Sequence, residues 1–147
     1  MKRFTAKEMD IKDRQAVLAH IKDFFVNMPR LLFAYVHGSF PEGRAFRDVD
    51  VAAYLDPDAC GTPDELFAYS LRIAAEIDLA VSNVTVDLKL LNHAPLPFRF
   101  QVINRGQVLF SRNEIARIEF EATTRTLHFD FAPHLKFYRR ELFGLGG

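Results

Sequence analysis

The sequence predicts an α+β fold: a mixed β-sheet of about four strands, helices mainly on one face, and a long helix near the C-terminus. Three observations predict it. Apolar runs of strand length recur at residues 31–37, 49–55, 84–91 and 107–110. Between and around them lie longer stretches whose apolar residues follow helical spacing. The third run, VTVDLKLL, alternates Val84, Val86, Leu88 and Leu90 with Thr85, Asp87 and Lys89, so one face belongs to a core and the other is open.

The elements follow in order. A first helix is expected from residue 10 or 11 to 27, with Val17, Leu18, Ile21, Phe24, Phe25 and Met28 on one stripe and Pro29 ending it. Residues 31–37 form the first strand. A second closes at Leu55, before the turn signal Asp56-Pro57-Asp58. Thr62-Pro63-Asp64-Glu65 is a helix start: Thr62 caps, Pro63 suits the first helical position, and Glu65 completes a capping box. That helix runs to about residue 81 on the stripe Leu66, Tyr69, Ile73, Ile77 and Ala80. The third strand spans 84–91, a short helix covers FRFQVINR, and Gly106 turns the chain into a fourth strand at 107–110.

Ser111-x-x-Glu114 is a second capping box, and a helix from about 112 to 131 carries two apolar stripes. One is Ile115, Ile118, Ala122 and Phe129; the other is Phe120, Leu127 and Phe131. With the first stripe buried, the second is expected to contact a partner, rimmed by Arg125, Lys136, Arg139 and Arg140. The alternative is that both stripes are covered internally. Pro133 is expected to break the helix, leaving an amphipathic piece at 134–143.

Composition bounds the function. The 147 residues suit a single domain spanning 1–147, and 49% hydrophobic content fits a globular core. Fifteen phenylalanines without a tryptophan hint at large apolar surfaces. A formal net charge of zero argues against stable nucleic-acid binding. Cys60, the sole cysteine, excludes an intrachain disulfide and fits a reducing cytoplasm. No signal core or membrane-crossing run is visible, so a cytoplasmic location without membrane contact is expected.

The chemistry concentrates in YVHGSFPEGRAFRDVDVAAYL, residues 35–55, which reads as strand, tight turn, short helix and strand. Side chains two apart on a strand share a face, so Asp48 and Asp50 point one way while Val49, Val51 and Leu55 point into the core. Paired carboxylates repel unless a cation separates them, and hard oxygen ligands select magnesium or manganese. Gly38 lets the backbone approach a phosphate, and the Ser39 hydroxyl adds a hydrogen bond. A phosphate grip beside a carboxylate pair suggests a nucleoside triphosphate with its metal. A third strand pairing beside Asp48 and Asp50 would add Asp87 to the site; otherwise Asp87 is an open-face acid paired with a lysine or arginine. Lys89, Arg44 and Arg47 suit phosphate oxygens or solvent equally. His37 abuts the glycine turn, where it either touches nucleotide or is a structural histidine.

Gly38, Ser39, Gly43, Asp48 and Asp50 together resemble the nucleotidyltransferase signature of the DNA polymerase β-like superfamily: Gly-Ser, a gap, Asp-x-Asp, and a later strand acid, here Asp87. The whole chain resembles the stand-alone minimal nucleotidyltransferases, the MNT antitoxins paired with HEPN-domain toxins. The resemblance implies the nucleotidyltransferase fold, with Asp48, Asp50 and Asp87 holding two Mg2+ ions for catalysis, and Gly38, Ser39, Arg47 and Lys89 near the phosphates. It implies an enzyme that uses ATP to place AMP on a hydroxyl, a tyrosine in the family, of a HEPN ribonuclease toxin, in a hetero-oligomer. This sequence departs from the pattern at Arg47, where serine is common, and at Lys89. Two other readings stay open: a small-molecule nucleotidyltransferase resembling the aminoglycoside-modifying enzymes, and a partner-binding inhibitor without catalysis.

Overall fold

A computed structural model describes residues 11–38, 48–59, 61–81 and 84–143, the stretch 131–143 by its backbone alone. The elements are α1 Ile11–Val26, β1 Leu31–His37, β2 Asp48–Leu55, a 3-10 turn Pro57–Ala59, α2 Pro63–Ala80, β3 Thr85–Leu90, α3 Leu96–Arg105, β4 Gln107–Ser111 and α4 Glu114–Phe143. The strands form one mixed sheet in the order β3-β2-β1-β4. β1 pairs antiparallel with β2 and β4, and β2 pairs parallel with β3 across the α2 crossover.

The sheet separates two cores. Val17, Ile21 and Phe25 of α1 and Leu66, Ile73 and Ile77 of α2 cover one face, against Leu31, Ala34, Val36, Val49, Val51, Ala53, Leu55, Val86 and Leu88. As expected, the odd-numbered apolar positions of β2 point here. On the other face Phe33, Tyr35 and Ala52 meet Leu91, Val102 and Ile103, with Phe98, Ala116 and Phe120 packed against them. So α3 and the start of α4 cover part of the face that also carries the acids.

Local chemistry accounts for the element ends. Thr62 Oγ1 accepts from the Glu65 backbone N–H at 3.3 Å and Pro63 opens α2. The Asp58 backbone N–H donates to Asp56 Oδ1 at 3.0 Å, closing the predicted turn. Asn92 binds both backbone groups of Leu55, accepting from its N–H at 2.9 Å and donating to its carbonyl at 2.8 Å. Arg112 ties β4 to the end of α1: its guanidinium donates to the carbonyls of Phe25, Val26, Met28 and Leu31 at 3.0–3.1 Å.

Three expectations about the C-terminal third are corrected. Asn113, not Ser111, caps α4, since its Oδ1 accepts from the Ala116 N–H at 3.0 Å. The helix does not stop at Pro133 but continues to Phe143. The expected inner stripe is exposed, and Phe120 of the other one turns inward. Phe120 packs inward on Phe33 and Tyr54, with ring centroids 5.4 and 5.2 Å apart. Ile115, Ile118 and Phe129 are 72%, 56% and 64% exposed. The sequence reading failed because both stripes have helical spacing, and only the sheet's position selects the inner one. Of the other named stripe, Leu127 is exposed, and Phe131 lies where side chains are not described.

Candidate active site

The acids meet across two parallel strands. In the β2–β3 register Asp50 stands opposite Asp87, and Asp48 opposite Thr85. On the other side, antiparallel pairing sets His37 of β1 opposite Asp50. Opposed residues share a face, so His37, Asp50 and Asp87 form one row across three strands, with Asp48 on the same face of β2. These residues need not be close in sequence: the α2 crossover between β2 and β3 delivers Asp87 to its place beside Asp50.

Gly38 follows directly. It has φ +76°, a left-handed conformation that glycine alone adopts readily, and a Cβ there would collide with the Asp50 carboxylate. The turn after β1 therefore carries main chain against a carboxylate. Ser39, Gly43, Arg44 and Arg47 lie outside the described residues, as does the expected short helix between Gly38 and Asp48.

The electrostatics show that the acids sense one another. Burial pushes the Asp50 carboxyl above its ordinary range, the charges of Asp87 and then Asp48 push further, and Lys89 opposes them. Lys89 Nζ lies 3.9 Å from Asp87 Oδ2, on an exposed pair. Asp87 thus stands opposite Asp50 across the strands and also pairs with a lysine. Lys89 also stands 5.7 Å from the centroid of the Phe98 ring. His37 packs edge-on against the same ring at 5.6 Å. Burial, followed by the Lys89 charge, lowers the His37 pKa, and its buried Nε2 has no hydrogen-bond partner among the described residues.

The donor set fits a hard divalent cation: half-buried carboxylate oxygens on adjacent strands, one of them held above its ordinary range by its neighbours. Among the described residues no three His, Cys, Asp or Glu side chains gather into a ready metal cage.

Phe98 is the site residue that sequence reasoning missed. It sits inside the FRFQVINR helix, where its aromatic ring reads as one more core residue. Its one signal is the Pro95-x-Pro97 stretch, which starts α3 and brings Phe98 over the site.

Acids on adjacent parallel strands beside a tight glycine turn are an arrangement that suits phosphoryl chemistry. The polymerase beta nucleotidyltransferase family model matches residues 19–115, well over half of the chain, and the protein belongs to that family. No curated protein matches the sequence significantly. Solved structures share the fold. One is the complex of tri-AMPylated Shewanella oneidensis HEPN toxin with MNT antitoxin, at 21% identity and TM-score 0.64, covering 89% of this chain and 96% of that one. Another is the MntA–HepT toxin–antitoxin, at 21% identity and TM-score 0.62, covering 88% and 96%. A toxin–antitoxin with AMP-PNP also matches, at 21% identity and TM-score 0.60, covering 92% and 97%. No described helix is long and apolar enough to cross a membrane.

Proposed function

We propose that this nucleotidyltransferase moves AMP from ATP, with Mg2+, to a hydroxyl of a partner protein, a tyrosine of a HEPN-type toxin, and thereby acts as its cytoplasmic antitoxin. The observation that carries the reading is the register that sets Asp50 beside Asp87, with Gly38 against Asp50. The similar structures support the partner: one holds an AMPylated HEPN toxin with its antitoxin, another an ATP analogue.

Asp48, Asp50 and Asp87 would hold the magnesium, which when bound neutralises phosphate charge and lowers the pKa of the attacking hydroxyl. The hydroxyl oxygen forms a bond to the α-phosphorus, the bond to the pyrophosphate oxygen breaks in line, and Asp87 takes the hydroxyl proton or passes it to water. Gly38 lets backbone approach the phosphates, and Ser39 and Arg47 continue that grip. Phosphate gives Lys89 a better partner than Asp87, which frees Asp87 for its role. His37 enters neutral, with one imidazole nitrogen open to a hydrogen bond.

The Lys89–Asp87 pair is the one observation that favours the non-catalytic reading, because it neutralises the third acid without a metal. Incubation with labelled ATP, Mg2+ and the protein encoded beside this one decides. The expected result is label on the partner, with Asp87→Asn sparing ATP binding and lowering turnover by about 10²–10⁴-fold. Partner inhibition without label transfer would establish the silent reading instead.

A further inference from the structure

A groove of about 540 Å³ runs along the outer edge of β3, beginning one residue from Asp87. Its floor is Leu88, Lys89 and Leu90. One wall is a helical stripe of α2, Pro63, Leu66, Phe67 and Ser70, and the other is the segment from Asn92 to Phe98. Pro63, Leu66, Phe67 and Ser70 follow the spacing of a single helix face. Phe67 is 66% exposed there, although Leu66 beside it is buried in the core. β3 is an edge strand, and among the described residues no strand pairs with its outer side. Edge strands present a row of unpaired backbone donors and acceptors.

Two of the groove's residues, Lys89 and Phe98, are also walls of the acid site. The order across the sheet is then His37 and Gly38, Asp50, Asp87, and the free edge. With phosphates at the glycine turn, the acceptor has the edge side left to approach from.

We propose that the acceptor binds as an extended peptide strand added to the edge of β3, its hydroxyl residue opposite Asp87. This rests on the nucleotidyltransferase reading above and adds the form of the substrate. Strand addition gives affinity through backbone hydrogen bonds and specificity through alternate side chains. The alternation makes the proposal specific. A residue opposite Asp87 projects its side chain onto the acids' face. Its neighbours project to the opposite face, against Leu66, Phe67 and Leu88, so they are apolar. The residue two positions along returns to the acids' face, beside Lys89 and the Phe98 ring. A hydroxyl side chain flanked by apolar neighbours in an extended segment is the predicted acceptor, which a compact sugar-like substrate cannot imitate.

The test uses the full-length protein, ATP, Mg2+ and three capped heptapeptides with a central tyrosine. In the first the neighbouring residues are leucines, in the second serines, and in the third leucines with N-methylated backbones. Mass spectrometry reads AMP incorporation, and a thermal shift with Mg-ATP reads nucleotide binding separately. The expected result is modification of the first peptide, at least tenfold less of the other two, and protection of the outward-facing Leu88 and Leu90 amides from exchange when the first peptide binds. Phe67→Asp should raise KM for that peptide about tenfold at unchanged kcat and unchanged Mg-ATP shift. Equal modification of all three peptides, or modification of a small hydroxyl compound and no peptide, overturns the proposal while leaving the enzyme reading intact. So does protection of the outward-facing Leu88 and Leu90 amides in the free protein, which would mean another part of the chain fills the groove. Absence of any Mg-ATP shift would instead remove the nucleotide reading on which the proposal stands.

Discussion

Gly38 and Asp50 are held so close that a methyl group at Gly38 would collide with the Asp50 carboxylate oxygen. The clash is with the end of a side chain, Asp50 Oδ2, and the positive φ of Gly38 adds a second, backbone restriction. Gly38→Ala should therefore destabilise the fold by about 1–2 kcal/mol through backbone strain and displace Asp50. Chemical denaturation measures the first effect, and loss of the Mg-ATP thermal shift the second. An alanine variant with wild-type stability and nucleotide response would show that the turn relaxes freely.

Asp50 sets the pH response of the metal-free protein. Its folded-state pKa is raised, first by burial and then by Asp87 and Asp48. A raised carboxyl pKa means the folded state prefers the protonated form. The associated stability is present below the ordinary aspartate value and is lost as pH rises through the higher folded value. Without metal, Asp50→Asn should therefore melt at or above the wild-type temperature at neutral pH, and the gap should close in acid. With Mg-ATP the order should reverse, because only the wild type gains by ligand binding. Melting curves across pH, with and without Mg-ATP, check both halves.

Tyr35 anchors α4 to the sheet. Its hydroxyl donates to Glu121 Oε1 at 2.7 Å, and Arg117 Nη1 donates to the same oxygen at 3.1 Å. Burial and the Glu121 hydrogen bond push the tyrosine pKa up, so the hydroxyl keeps its proton over any practical pH range. Tyr35→Phe should cost about 1–2 kcal/mol, a charge-assisted hydrogen bond's worth, measured by urea unfolding. An unchanged midpoint would place the weight of the contact on Arg117 alone.

Arg112 should be harder to replace. Four backbone carbonyls around the end of α1 accept from one planar guanidinium. Arg112→Ala should cost about 1–3 kcal/mol. Arg112→Lys should recover less than half, because a point charge lacks the fork that reaches several acceptors. Full rescue by lysine in the same unfolding assay would reduce the role of Arg112 to charge.

The two stripes of α4 make a paired prediction. Phe120→Glu buries a charge among Phe33 and Tyr54 and should unfold the protein. Ile118→Glu lies on the exposed side and should change stability by no more than about 0.5 kcal/mol. Circular dichroism of the two variants separates the sides. Co-purification of Ile118→Glu with its neighbouring protein then tests whether the outer stripe is the contact surface.

Much of this was legible because it is written in short-range patterns. The alternation of β2 placed Asp48 and Asp50 on one face and Val49 and Val51 on the other, and Thr62 announced α2 within one turn. What could not be read depends on long-range placement. Nothing local says that α3 and α4 share the acids' face, that Phe98 would close the site wall, or that Phe120 rather than Ile118 would turn inward. Pro133 misled for a different reason: a proline costs a helix one hydrogen bond and some strain, and a helix of 30 residues has enough remaining bonds to absorb it. Ser39 and Arg47, drawn from the sequence, lie outside the described residues.

β2 carries both halves of the protein at once. Its outward residues Asp48 and Asp50 are acids, and the intervening Val49 and Val51 are fully buried in the main core. The carboxylates therefore have no hinge of their own: any change of volume behind Val49 or Val51 is transmitted through a single backbone to the reacting groups. Variants that trim these valines by one methyl group should go out of tune before they melt, losing transfer at temperatures where the fold is still intact. A temperature-sensitive phenotype in this protein would then arise from a misaligned strand rather than from loss of the molecule.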